Sequence, residues 1–239
     1  MSKRCSQILN EVQVQINKIL KFFCLTRDTK SYKLLDVGCW TAEATLRYCT
    51  SLGISSENCF GIDIFDHVVS EAAKHIKAYK VDLERDKFPF EDETFDIVIC
   101  NQVFEHLKQI YLPMSEIHRV LKTKGILIFS VPNLASFHNR LLLLLGRQPT
   151  AIRIMGPHVR GFSHKDTIKF LEFNDLFKVK KVIGVGFYPF PIMIGRLLGR
   201  LFPNLSHTTI ILAIKNSKGE KLDWYEEMIR REEQTSYFI

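Results

Sequence analysis

The chain has 239 residues, 46% of them hydrophobic and 25% charged, with a formal net charge of +7 at pH 7. This composition is typical of a globular protein with a sizeable core, so disulfides and structural metals are not needed to hold it together. The longest apolar run, Leu141 to Leu145, is far shorter than the ~20 residues of a membrane span. The N-terminus has no apolar signal-peptide core, and we expect a cytoplasmic protein.

The positive charge is concentrated in the second half of the chain. Between residues 133 and 218 there are 13 lysines and arginines against three acidic residues. Such a region favours an anionic substrate, a membrane surface or a nucleic acid, although a solvated basic face without a specific partner explains it equally well. The six cysteines form no C-x-x-C pair and no zinc-ligand spacing, so we interpret them as buried thiols in a reduced compartment and predict no metal site.

In chain order, an amphipathic helix over 8–23 precedes a regular alternation of strands and helices. Strands are predicted at 33–37, 59–64, 78–83, 95–100 and 125–131, and the intervening helices at 41–52, 66–76 and 111–121. Two further strands, 177–186 and 208–215, complete an α/β fold with a doubly wound, seven-stranded and mostly parallel sheet. Ligands of such sheets bind at the carboxyl ends of the strands.

Acidic residues follow three successive strands of this predicted sheet. Asp36, Asp63 and Asp82 each stand at a strand end, and Gly38 follows the first. A small residue there lets backbone N–H groups approach a polar ligand closely, as in nucleotide-binding turns. Each aspartate alone is equally well explained as a helix cap or a turn residue, but the three together favour a binding site.

Four stretches between residues 33 and 133 carry a specific pattern: "LLDVGC", "GIDIFD", "KVDLERDKFPFEDETFDIVICNQVFEHL" and "EIHRVLKTKGILIFSVPN". Any one alone is weak, since a lone glycine-rich turn also fits NAD-binding folds. Together they resemble the class I S-adenosylmethionine-dependent methyltransferases, in the small-molecule group that includes quinone-biosynthesis methyltransferases. The resemblance implies the Rossmann-like methyltransferase fold and S-adenosyl-L-methionine as cofactor.

The resemblance also implies cofactor contacts from residues at or beside the strand ends. Asp36 is expected near the cofactor's amino group, Asp63 at two ribose hydroxyls, and Asp82 at the adenine amino group. The full predicted set is Asp36, Gly38, Trp40, Asp63, Ile64, Asp82, Leu83 and Asn101.

Two positions depart from the pattern of the resembled family, which has glycine where this chain has Trp40 and Ala42. If φ is positive at Ala42, the cost is about 1 kcal/mol. The ring of Trp40 must point to solvent or against the inserted segment, because an inward ring would block the methionine tail of the cofactor.

Within this framework we predict one methyltransferase domain over residues 1–239. Its parts are an N-terminal helix (1–30), a cofactor-binding half (31–135), an insertion after strand five that caps the acceptor (136–174), the last two strands (175–216), and a C-terminal helix and tail (217–239). The insertion is inferred because the stretch between strands five and six is too long for a plain crossover.

The acceptor side is predicted from histidines and one arginine. Methyl transfer from a sulfonium needs mainly alignment, and a hydroxyl acceptor also benefits from a general base. His106 and His158 are the predicted catalytic residues, while Arg160 and His164 are predicted to bind an anionic small-molecule acceptor. The alternatives are a packing role for His106 and an ordered surface loop for the others.

The segment 191–202 is predicted to form an amphipathic helix in which Arg196 and Arg200 share one face. Such a helix suits peripheral membrane contact and a lipophilic acceptor. Packing on the core and a homodimer interface are the alternatives.

The predicted function is O-methylation of a small acceptor by direct displacement. A non-catalytic binding or regulatory protein with this fold is the main alternative, because of Trp40 and Ala42. A nucleic-acid methyltransferase is disfavoured, since the stretch "NQVF" after strand four lacks the two prolines of amino-methylating DNA enzymes and stacking aromatics are sparse among the basic residues. An NAD-dependent oxidoreductase is disfavoured by the "FDIVICNQVFEHL" block.

Overall fold

The structure is a computed structural model and describes residues 3–216. Its helices are α1 (Lys3–Cys24), α2 (Glu43–Leu52), α3 (Asp66–Ala72), α4 (Tyr111–Val120), α5 (Phe137–Leu144), α6 (His164–Leu171) and α7 (Ile192–Leu201). Its strands are β1 (Leu34–Val37), β2 (Cys59–Asp63), β3 (Lys77–Lys80), β4 (Phe95–Asn101), β5 (Leu121–Pro132), β6 (Phe177–Val185) and β7 (Thr208–Lys215). The predicted C-terminal helix lies outside the described residues.

The strands form one seven-stranded sheet in the order β3-β2-β1-β4-β5-β7-β6. The pairs β3–β2, β2–β1, β1–β4 and β4–β5 are parallel, whereas β7 runs antiparallel to both β5 and β6. The predicted fold class, a doubly wound and mostly parallel sheet, is confirmed. The strand order reverses between β1 and β4, so the chain leaves these two paired strands toward opposite edges of the sheet, and ligands of such sheets bind at this point.

The core lies on both faces of the sheet. On one face Val98 and Cys100 of β4 pack with α4 and α6, and on the other Ile97 and Ile99 pack with α1 and α2. Burial on both sides explains why β4 is a continuous apolar run rather than an alternating strand. In the described part of the chain, no helix is both long and apolar enough to cross a membrane.

Several predicted boundaries are wrong. Helix α3 ends at Ala72 instead of residue 76, and β3 is the short strand 77–80, so Asp82 lies two residues beyond the strand end. The exposed lysines of β3 give no apolar run that would mark its limits. Helix α4 passes directly into β5 at Leu121, four residues before the predicted start of this strand at 125, and Lys124 is a left-handed residue (φ 64°) inside β5.

The interpretation of all cysteines as thiols is wrong for Cys49 and Cys59, which form a disulfide. Helix α2 packs against β2 and brings the two Cα atoms to 6.6 Å. Sequence spacing alone could not show this proximity. Cys24, Cys39 and Cys100 are buried free thiols, as expected.

The segment between β5 and β6 contains α5, a short 3-10 turn at Thr150–Ile152, and α6. Asn133 fixes its start: its side-chain amide donates to the carbonyls of Asn204 and Ser206, both at 2.9 Å, and its oxygen accepts from the Ala135 N–H at 3.0 Å. The segment is thus anchored beside the carboxyl end of β5.

Candidate cofactor and acceptor site

A cavity of about 310 Å³ opens at the carboxyl ends of β1 and β4. Asp36, Gly38 and Trp40 line it from the β1 side, and Asn101 and Gln102 from the β4 side. Helices α1 and α2 contribute the remaining wall. This is the position at which a doubly wound sheet binds its ligand, and four predicted cofactor residues meet here.

The loop after β1 keeps the conformation that glycines would favour. Gly38, Trp40 and Ala42 have φ values of 76°, 47° and 65°, all in the left-handed region. At Gly38 any side chain would also collide with Val103. For a non-glycine residue this region costs roughly 1–2 kcal/mol. Ala42 therefore carries the energetic cost predicted for a positive φ. The loop keeps the left-handed backbone conformation that glycine would adopt at this position.

The ring of Trp40 points out of the loop. It is 58% exposed and makes edge-to-face contacts with Phe65 and His67, with ring centroids 6.5 Å away in each case. The ring therefore packs against the start of α3 and faces solvent, not the inserted segment. The cavity beside Asp36 stays open.

Asp63 holds this loop in place. Its carboxylate accepts from the backbone N–H of Trp40 at 3.0 Å, of Ile64 at 2.8 Å and of Phe65 at 3.3 Å. Both oxygens are engaged, but a carboxylate oxygen accepts more than one hydrogen bond. The predicted ribose contact thus stays a prediction, and the structure adds a second task, the stabilisation of a left-handed turn.

Asp36 and Tyr48 place two polar groups in the cavity wall. The Asp36 carboxyl is buried and accepts from Thr45 Oγ1 at 2.6 Å. Burial raises its pKa to about 7, and the charge of Asp63 adds to the shift. The hydroxyl of Tyr48 is buried without a hydrogen-bond partner among residues 3–216, and burial raises its pKa too. An orphaned hydroxyl beside a buried carboxyl fits a ligand with a polar, cationic end.

Asn101 and Gln102 are fixed by Ser130 on β5. The Ser130 hydroxyl donates to Asn101 Oδ1 at 2.5 Å and accepts from Gln102 Nε2 at 3.2 Å. Gln102 has a left-handed backbone (φ 60°), and its N–H donates to the Ser130 carbonyl at 2.9 Å. The end of β4 is therefore rigid.

Four predicted cofactor residues lie outside the lining of this cavity: Asp63, described above, and Ile64, Asp82 and Leu83. Asp82 accepts from the Glu84 N–H at 3.0 Å and faces Arg85 at 3.8 Å, so it closes a turn. Leu83 is buried, while Ile64 is exposed. Their adenine-side and ribose-side roles stay predictions.

The acceptor-side residues converge just beyond β4. A short turn, Phe104–His106, follows the strand, and the rings of His106 and His158 meet edge to face at 4.8 Å. His106 Nδ1 lies 3.3 Å from the Pro157 carbonyl. Burial lowers the pKa of His106, and the neighbouring His158 lowers it further. The two imidazoles therefore meet a few residues after the end of β4, and the lowered pKa of His106 favours its neutral form.

The segment carrying His158 is pinned to the turn after β4. The N–H groups of Val159 and Arg160 donate to the carbonyl of Glu105 at 2.9 and 3.2 Å, and the Arg160 guanidinium donates to the Lys108 carbonyl at 2.7 Å. Arg160 Nε is buried without a partner among the described residues. His164 begins α6, and its Nδ1 lies 3.3 Å from Thr209 Oγ1 on β7.

Sequence reasoning missed Thr45, Tyr48, Glu105 and Ser130. Thr45 and Tyr48 share one face of α2, and helical spacing could have directed that face toward the strand ends. Glu105 gives no signal, because glutamate is rarely buried, yet its side chain is only 2% exposed.

Fold and site together define an α/β protein with a ligand-sized cavity at the switch point of its sheet. Residues 35–129 match the family model described as a methyltransferase domain. An uncharacterised methyltransferase of Bacillus subtilis, YcgJ, is 25% identical over 100 residues, which cover 39% of this chain and 38% of that protein. The chain matches 20% and 38% of the length of two curated relatives.

Solved structures share the fold. A possible histamine N-methyltransferase from Thermotoga maritima has a TM-score of 0.59 at 17% identity, covering 90% of this chain and 94% of that one. SpnF, a (4+2)-cyclase, has a TM-score of 0.60 at 18% identity, covering 84% of this chain and 81% of its own. At such identities the likeness shows the fold, and a fold alone does not fix a reaction.

Residues 35–129 therefore carry a methyltransferase domain, in a fold that this chain shares with S-adenosylmethionine-dependent methyltransferases, and S-adenosylmethionine is the cofactor that this indicates.

Proposed function

We propose that this protein transfers the methyl group of S-adenosylmethionine to an oxygen of a small acceptor by direct displacement. The observation that carries the proposal is the contact of the His106 and His158 rings just after β4, together with the lowered pKa of His106. When bound, the cofactor supplies an activated methyl group on a sulfonium that departs as a neutral thioether. The protein has to align the acceptor oxygen and receive its proton.

The residues around the pair suit this task. Asn101 and Gln102 are held by Ser130, so they form a fixed wall between the cofactor cavity and the acceptor side. His106 accepts the hydroxyl proton on its ring, since its lowered pKa keeps the imidazole neutral. The Nε of Arg160, which has no partner among residues 3–216, offers a donor to an anionic group of the acceptor.

A direct assay tests the proposal. The purified protein is incubated with S-adenosylmethionine labelled in the methyl group and a panel of phenols, enols, carboxylic acids and amines, and products are identified by mass spectrometry. We expect an O-methylated product and co-purified S-adenosylhomocysteine. Label transfer only to nitrogen acceptors would show that the assignment of oxygen as the acceptor atom is wrong. A folded protein that binds no S-adenosylmethionine would show that the whole proposal is wrong.

We further propose that the protein binds its acceptor at an anionic membrane surface. Large apolar side chains are exposed on α5 and the segment after it, Leu143, Leu144, Leu145, Ile154 and Met155, and on α7, Met193, Ile194, Leu197 and Leu201. Phe137 at the start of α5 stacks on Phe187 in the loop before α7, with ring centroids 5.7 Å apart, so the first turn of α5 contacts the loop that leads into α7. Exposed apolar side chains beside arginines favour the interface of an anionic bilayer.

The two arginines predicted to share one face of α7 line one cavity, but they differ in their partners. Arg196 donates to Glu11 of α1 at 2.6 Å and is therefore committed to an ion pair. Arg200 is exposed on the same helix, and Arg147 and Arg153 are exposed near the α5 leucines. These three side chains supply the positive charge for the proposed contact.

Vesicle flotation tests the membrane contact. We expect binding to phosphatidylcholine vesicles containing about 30% phosphatidylglycerol and weak binding to phosphatidylcholine alone. Leu144→Glu should abolish flotation, whereas Leu25→Glu, which changes an equally exposed leucine (79% against 82%) at the end of α1, should not. Equal loss in both variants, or no flotation of the unmodified protein, would contradict a membrane surface at this patch.

A further inference from the structure

We propose that Glu105, His106 and His158 form a binding site for a divalent transition-metal cation. One carboxylate oxygen of Glu105 and one ring nitrogen of each histidine all lie within 4.8 Å of one another. Ligand bonds of about 2.0–2.2 Å would place these atoms about 3–3.5 Å apart. Side-chain movements of little more than ~1 Å therefore close the three ligands onto one ion.

The carboxylate of Glu105 is the first argument for a cation. The side chain is 2% exposed, and Oε2 has no hydrogen-bond partner among residues 3–216. A buried polar atom without a partner is costly. Because the backbone carbonyl of Glu105 already holds Val159 and Arg160, the residue is fixed against the segment that carries His158. A cation between them supplies the missing partner.

The orientation of the two imidazoles is the second argument. His106 Nδ1 lies 3.3 Å from the Pro157 carbonyl, and His158 Nδ1 lies 2.8 Å from the Ala151 carbonyl. A carbonyl acceptor fixes the proton on Nδ1 and leaves the lone pair on Nε2. Metal-binding histidines typically show this arrangement, with the second ring nitrogen donating to a backbone oxygen.

The ligand types decide the class of ion. Two imidazoles and one carboxylate suit zinc, manganese, iron or cobalt, whereas magnesium and calcium prefer oxygen ligands. Three protein ligands leave coordination positions free for another molecule. The positive charge of Arg160 would oppose the binding of a cation, but its guanidinium is turned away to donate to the Lys108 carbonyl.

The site deepens the proposed function, on which its catalytic consequence rests. Glu105 lies only three residues after Gln102, which lines the cofactor cavity. Burial raises the pKa of the Cys100 thiol, and the nearby carboxyls of Glu105 and Asp36 raise it further, so both carboxyls lie at the same end of the sheet. A cation here would bind the acceptor oxygen and lower the pKa of its hydroxyl, replacing an imidazole base. The acceptor class is then an oxygen ligand such as a phenol, an enol or a carboxylic acid.

Metal titration tests the inference. Untagged protein, freed of metal by a chelator, is titrated with Co²⁺ by visible absorption and with Zn²⁺ by calorimetry. We expect one equivalent to bind, and Glu105→Gln and His158→Ala to weaken binding by at least about tenfold. The control, His75→Ala, changes an exposed histidine on another surface and should bind like the unmodified protein. Circular dichroism confirms that each variant is folded.

The outcomes separate this inference from the proposed function. Binding that is absent, or that is unchanged in folded His158→Ala protein, would overturn the metal site. Metal binding without any methyl transfer would leave the site standing and count against the proposed reaction. Full methyl transfer after chelation would support the imidazole base and overturn the catalytic role of the cation.

Discussion

Replacing Asp36 with asparagine should stabilise the protein without cofactor, and the gain should grow with pH. The Asp36 carboxyl is 4% exposed and receives a hydrogen bond from Thr45. Its pKa is raised from 3.8 to about 7, chiefly because burial disfavours the charged form. Asparagine has nearly the same shape, keeps an oxygen for the Thr45 hydroxyl, and never ionises.

The magnitude follows from the two pKa values. The unfolded chain loses the Asp36 proton near 3.8, whereas the folded protein keeps it up to about 7. Stability is therefore lost as the pH rises through this interval. About three pKa units at ~1.4 kcal/mol each give at most ~4 kcal/mol. Between about pH 5 and pH 8, the advantage of Asp36→Asn should grow by roughly 2–3 kcal/mol.

Urea denaturation of both proteins at the two pH values measures this difference. Asp28→Asn, which removes an exposed carboxylate at the end of α1, controls for the chemical change itself. Asp36→Asn should also bind S-adenosylmethionine more weakly than the unmodified protein in calorimetry, since it lacks the negative charge for the cationic amino group of the cofactor. An advantage that does not change with pH would refute the raised pKa of Asp36.

Three further predictions concern the same loop and cavity. In thermal denaturation, Ala42→Val should destabilise the protein by about 2 kcal/mol or more, because a β-branched residue tolerates a positive φ poorly. Ala42→Gly should change the stability by no more than about 1 kcal/mol. Equal effects of the two substitutions would contradict the left-handed turn. Asp63→Asn should cost about 1–3 kcal/mol, because an amide nitrogen cannot accept and a backbone N–H loses its partner; a neutral result in urea denaturation would show that these bonds are dispensable. Tyr48→Phe should stabilise the cofactor-free protein by about 1 kcal/mol, because it removes a buried hydroxyl that has no hydrogen-bond partner there. It should weaken cofactor binding, because the bound cofactor would supply that partner. Unchanged affinity would exclude a contact between Tyr48 and the ligand.

The sheet could be predicted because its strands are marked by composition. The run "FDIVIC" is apolar throughout, as a strand covered on both faces requires, and it became β4. The acidic residues at the ends of β1 and β2 were also placed correctly, since buried strands have clear limits. Strand β3 is exposed and rich in lysine, so its end was misjudged, and with it the position of Asp82.

Contacts between distant segments could not be predicted. Glu105 and His106 meet His158 only because the 157–160 segment is held by the carbonyls of Glu105 and Lys108. No sequence spacing reveals such a pairing. The disulfide between Cys49 and Cys59 likewise depends on how α2 packs against β2. Backbone φ at Trp40 was equally hidden, because intrinsic preference argues against a left-handed tryptophan.

The hydrogen bond from the Trp40 N–H to Asp63 has a consequence for how such loops are recognised. A neighbouring strand can hold the turn in a conformation that glycine would otherwise provide, so the requirement at positions 40 and 42 falls on φ and not on residue identity. Unbranched residues whose side chains leave the loop outward can then replace glycine. Relatives of this protein can lack the glycine-rich signature and still retain an acidic residue at the end of β2.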